Sequence, residues 1–146
     1  MKVLIQNLQN KFRLTPVLKA LLKKTAISAL TGKKKDPRSQ ITILVTNDAQ
    51  IKEFNLLYHA TPEATDVLTF DLSESKRTLS ADIIISAERA KNNAKVYKTT
   101  PDYEIMLYAA HGILHLLGHN DDTARKRQKM NQKAQEIVQK IILAHS

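Results

Sequence analysis

The chain has 146 residues, 42% of them hydrophobic and 25% charged, with no cysteine and with 23 Lys and Arg against 14 Asp and Glu. This composition suits one globular domain with a true core, and it excludes disulfides and thiolate metal sites. The formal charge of +9 biases encounter toward polyanions, while four Tyr and three Phe leave no aromatic stacking platform visible in the sequence.

Taken in order, Lys2 to Gln6 alternates apolar and polar residues and predicts a short strand. The opening MKVLIQNLQNKF lacks the apolar core and small-residue cleavage site of a secretory signal. Thr15 before Pro16 is an N-cap followed by a favoured first helical residue, opening an amphipathic helix carried by Val17, Leu18, Leu21, Leu22, Ile27 and Leu30. Gly32 and the lysines 33 to 35 are expected to end it. Ile41 to Val45 predicts a strand, after which Asp48 is placed to cap a helix through about Tyr58. A loop from His59 to Ala64 leads to a strand over Asp66 to Phe70, then a polar turn, then a fourth strand over Ala81 to Ser86. Helices are predicted at about Ala87 to Lys98, Thr100 to Leu117 and Thr123 to Ala144. The last is amphipathic through Met130, Ala134, Ile137, Val138, Ile141 and Ile142, a pattern that covers a core.

Strands alternating with helices predict an α/β (α+β) domain spanning residues 1–146, with a small mixed four-stranded sheet and about five helices. The helix over Thr100 to Leu117 is apolar nearly all round and is expected to be central and buried. Its apolar window contains His111 and is too short for a membrane span, so a soluble cytoplasmic protein is expected.

That helix carries the chemistry. His111 and His115 stand four residues apart on one face, about 6 Å along the axis, a spacing that suits two imidazoles sharing one divalent ion. Two imidazoles without polar partners would be costly in such a helix, whereas a metal or a polar cleft removes the cost. Gly118 follows where helices commonly stop in a left-handed residue, so the chain is able to turn back and bring a third ligand: Asp121, His119 or Asp122. The general-base glutamate of H-E-x-x-H peptidases would fall at residue 112, which is Gly112, so peptidase chemistry of that kind lacks its base. Arg125, Lys126, Arg127 and Lys129 follow the motif, and basic groups there suit a phosphodiester better than a peptide. Lys23, Lys24 and the lysines 33 to 35 form a second basic patch.

Three segments carry a resemblance. HGILHLLGHND, from His111 to Asp121, resembles the H-G-x-L-H-L-x-G-Y-D-H signature of the YbeY family of metal-dependent endoribonucleases. Asn55, Tyr58 and His59, followed by Thr65-Asp66-Val67-Leu68-Thr69-Phe70, are similar to its N-x-x-Y-R and P-T-D-V-L-S-F pieces, and Ala81-Asp82-Ile83-Ile84-Ile85-Ser86 to its G-D-I-x-I-S strand. The chain departs from the family at Asp121 for the third histidine, His119 for the tyrosine, His59 for the loop arginine and Ala81 for the strand glycine.

The resemblance implies a single-strand-specific endoribonuclease of ribosomal RNA maturation, acting at the 3′ end of the small-subunit RNA and in ribosome quality control. Its partners would be ribosomal RNA and small-subunit assembly components, with no membrane. One Zn²⁺ or other divalent ion would be held by His111, His115 and Asp121, with His119 as the alternative third ligand. The resemblance implies that His59 meets phosphate when protonated; Asp82, at a strand end, is an acidic candidate for a base, with a structural role or the orienting of a metal-bound histidine favoured over direct catalysis. Asp66 is a second acidic candidate, while Tyr58 and Asn55 are expected to pack the helix end rather than touch substrate. The competing reading is a ribosome-assembly factor that binds RNA and has a mainly structural zinc site.

Overall fold

The computed structural model describes residues 1–30, 36–59, 65–75, 77–119 and 122–145, with only the backbone of His59. The elements in order are β1 (Lys2–Asn7), α1 (Pro16–Ala29), β2 (Gln40–Thr46), α2 (Asp48–His59), β3 (Val67–Asp71), β4 (Ser80–Ser86), α3 (Ala87–Tyr97), α4 (Pro101–Leu116) and α5 (Ala124–His145). Among the described residues the four strands form one sheet in the order β1-β2-β4-β3. β1, β2 and β4 run parallel, and β3 pairs antiparallel with β4 at the edge. The mixed sheet and five helices match the expected class, with most boundaries shifted by one residue.

The pleat sorts the strands onto two faces. Ile41, Ile43 and Val45 of β2 and Ile83 and Ile85 of β4 join α1, α4 and α5 in one core. The intervening Ile84 is also buried, on the face where Phe70 of β3 meets Tyr58 of α2. Helix α4 lies centrally in the core, burying Ile105, Met106, Ala109, Ala110, Ile113 and Leu114.

Two local expectations change. Helix α1 starts as read, the Thr15 hydroxyl accepting from the Leu18 N–H at 3.1 Å, but Val17 and Ile27 are 52% and 44% exposed. The buried stripe is Leu18, Leu21, Leu22, Thr25, Ala26 and Ala29, and Ile27 stands about 180° from Leu18 at 100° per residue. Thr25 is tolerated inside because its hydroxyl donates to the Leu21 carbonyl at 2.8 Å.

Helix α2 is capped by Asn47 instead of Asp48. The Asn47 side chain accepts from the Gln50 N–H at 2.8 Å, and the Gln50 side chain accepts from the Asn47 N–H at 3.0 Å, a reciprocal capping box. Asp48 is left to accept from the Ser86 hydroxyl at 2.6 Å, tying the starts of α2 and α3 together. Gly32 and the lysines 33 to 35, the expected end of α1, lie outside the described residues.

Candidate active site

One polar stripe crosses the otherwise buried helix α4. Glu104, Tyr108, His111 and His115 recur at i, i+4, i+7 and i+11, within an arc of roughly 60°. Beside that stripe Gly112 faces the sheet: a Cβ there would stand 2.8 Å from Ile83 Cγ2 and 3.1 Å from Thr69 Oγ1. The glycine therefore lets α4 lie against β3 and β4, which brings its histidines to the edge strand. The same contact explains why residue 112 is not the glutamate of a peptidase helix.

His111 lines a polar cavity of about 500 Å³ with Asp66, Glu104, Tyr108, Asn93 and, from α5, Asn131 and Gln135. The Nε2 atom of His111 is buried. Glu104 is only 3% exposed, and burial raises its pKa, opposed by a hydrogen bond from Thr99 and assisted by the charge of Asp66. Burial likewise pushes the Tyr108 hydroxyl well above its ordinary range, while that oxygen accepts from Asn93 Nδ2 at 2.7 Å.

His115 is exposed and lines a groove of about 340 Å³ with Val67, Leu68, Thr69 and Asp71 of β3 and with Leu116. The helix then ends in a Schellman turn. Gly118 has φ of +92°, its N–H donates to the His115 carbonyl at 3.0 Å, and the His119 N–H donates to the Leu114 carbonyl at 3.1 Å. His119 reaches a third cleft lined by Lys126, Lys129 and Met130, with Lys133 Nζ 3.5 Å from its Nε2. Partial burial lowers its pKa, and Lys133, Lys129 and His115 act in the same direction, so the imidazole is held toward its neutral, ligand-competent form.

The expected site residues divide as follows. His111 and His115 are one turn apart and supply donors of the type that zinc takes. Among the described residues no three His, Asp or Glu side chains are grouped to hold a metal ion. Asp121 lies outside the described residues, as does the side chain of His59. Asp66 shares the His111 cavity. Asp82 does not: it pairs across from Phe70, and the pleat turns it away from Ile83 and Gly112, onto the face that α2 covers. Its half-buried carboxyl has a pKa raised by desolvation.

Asn55 is buried at the helix end as expected, but Tyr58 is 64% exposed and touches Phe54 and Phe70. Glu104 and Tyr108 are site residues beyond those expected from the sequence, although their helical spacing from His111 and His115 is a signal it carries. Arg125, Lys126, Arg127 and Lys129 are exposed at the start of α5, and Lys23 and Lys24 are exposed on α1.

The model of the endoribonuclease YbeY family matches residues 4–142. The chain belongs to this family. An endoribonuclease YbeY of Syntrophomonas wolfei is 29% identical over 154 residues, covering 98% of this chain and 99% of the relative. One from Desulforamulus reducens is 31% identical over 149 residues, covering 97% of each. The solution structure of a Thermotoga maritima protein, 22% identical, agrees with a TM-score of 0.62 over 98% of this chain and 93% of that one, which shows the same fold. The YbeY resemblance of the three sequence segments is thus borne out. Among the described residues, no helix is long and apolar enough to cross a membrane.

Proposed function

We propose that this chain is a single-strand-specific, metal-dependent endoribonuclease of ribosomal RNA maturation, acting at the 3′ end of the small-subunit RNA and in ribosome quality control in the cytoplasm. The observation that carries the reading is the endoribonuclease YbeY match over residues 4–142, joined to two histidines on the stripe of α4. Ribosomal RNA and small-subunit assembly components are the proposed partners.

His111, His115 and Asp121 would hold the ion, Zn²⁺ or another divalent metal, with His119 as the alternative third ligand. Such an ion, when bound, supplies Lewis acidity toward a phosphoryl oxygen and lowers the pKa of water. The chain's own groups do the rest. Arg125, Lys126, Arg127 and Lys129 attract the phosphate backbone toward the end of α4. His59, when protonated, meets a phosphate or the charge that develops on it. Of the two carboxylates considered as a proton acceptor, Asp66 is favoured because it lines the cavity of His111, whereas Asp82 faces the other side of the sheet.

A nuclease-free preparation incubated with single-stranded RNA, beside a His115→Ala variant matched for folding, tests this reading. The wild type is expected to cut and the variant to be inactive. Equal cutting by both would assign the activity to contamination and overturn it.

A further inference from the structure

Three of the seven aromatic residues of the chain gather in one row. Phe54 and Tyr58, one turn apart on α2, have ring centroids 6.5 Å apart and planes within 14°. Tyr58 then meets Phe70 of β3 at 4.9 Å, tilted by 55°. Two contacts of this kind hold the Tyr58 ring, yet it is 64% exposed. A ring already oriented by its neighbours loses little conformational entropy when something stacks on its open face.

The location of this row adds to the case. Phe70 lies between Thr69 and Asp71, which line the groove with His115, and alternation along the strand sends its ring to the opposite face. The row and the groove are therefore on the two sides of one edge strand. A polymer crossing that edge meets both. Among polymers, single-stranded RNA fits because every base offers a π face to a tyrosine and because its phosphates are drawn to a chain of net charge +9.

We infer that Tyr58, braced by Phe54 and Phe70, is a stacking platform for an unpaired base of an RNA strand that continues over β3 into the His115 groove. The inference rests on the endoribonuclease reading and adds a binding contact outside the proposed metal site. It also accounts for single-strand preference, since a paired base keeps its faces inside the duplex.

The test is the affinity of an oligouridylate for the wild type and for Tyr58→Ala, Tyr58→Phe and Leu57→Ala. Tyr58→Ala is expected to weaken binding about tenfold, the scale of one lost base stack, while Tyr58→Phe retains it. Leu57→Ala, which removes a neighbouring exposed apolar side chain, is expected to bind as wild type. Equal loss in Leu57→Ala would show that the effect is not specific to the Tyr58 ring and overturn the platform.

A second measurement covers the case in which Tyr58→Ala fails to fold. The chain has no tryptophan, so Tyr58→Trp carries a single reporter whose emission is expected to be quenched by the oligouridylate and much less by duplex RNA. Unchanged emission with saturating bound RNA overturns the proposal. A wild type that binds RNA as tightly as Tyr58→Ala removes the platform alone, whereas a wild type that neither binds nor cuts RNA removes the nuclease reading and the platform with it.

Discussion

Gly112 of α4 rests on Ile83 of β4 so closely that a Cβ at residue 112 would lie 2.8 Å from Ile83 Cγ2 and 3.2 Å from Ile83 Cδ1. Both residues are in well-packed surroundings, where an added methyl has no void to enter. Gly112→Ala is therefore expected to destabilise the fold by about 1–3 kcal/mol through overpacking, despite alanine's better helix propensity. Denaturant unfolding would measure it. In an Ile83→Ala background the same substitution should cost clearly less, because the clashing methyl is gone; strict additivity would show that the contact is not the cause.

Gly118 presents the opposite case. Nothing lies within 4 Å of a Cβ built there, but its φ is +92°. Gly118→Ala is expected to cost about 1 kcal/mol from backbone conformation alone, with Gly118→Asn milder. Because that turn aims the chain after α4, metal affinity should fall along with stability, which a competition titration with a chromogenic chelator would detect.

Burial raises the pKa of Glu104 above its ordinary 4.5, so the folded state holds a proton there more tightly than the unfolded chain. The associated stability is fully present below pH 4.5 and is lost as pH rises through the higher, folded-state value. Glu104→Gln removes that dependence. Relative to wild type, the variant should gain stability as pH rises above 4.5, read from unfolding midpoints. A gap that is constant with pH would refute the assignment.

For the proposed metal, His115→Ala is expected to lose bound zinc after dialysis and to lose RNA cleavage with it. Asp121→Ala should also lose metal while His119→Ala keeps most of it; the reverse pattern would reassign the third ligand to His119. Chelation of the wild type should abolish cleavage and added Zn²⁺ restore it.

His59→Arg provides a check on the phosphate contact. An arginine is charged at every working pH, so the variant should bind RNA more tightly above pH 7 and lose any pH dependence that the histidine imposes. Unchanged affinity across pH would remove residue 59 from the RNA path.

The elements of this protein are legible in its sequence because their signals are local. Thr15 with Pro16 and Thr100 with Pro101 place helix starts through hydrogen bonds that close within three residues. The two-residue period marks the strands, and the H-x-x-x-H spacing marks a donor pair whatever surrounds it. Even the polar stripe of α4 is written in the spacing of Glu104, Tyr108, His111 and His115.

What the tertiary structure decided is which side each residue serves. A period of two creates two strand faces without naming the one that meets α4; that depends on strand order and on the pairing of Phe70 with Asp82 across β3 and β4. Hence Asp82 lies away from the histidines, Asp66 joins His111, and Tyr58 stands open beside Phe70. These are contacts between residues far apart in the chain, set by packing and register, and no local pattern of residues encodes them.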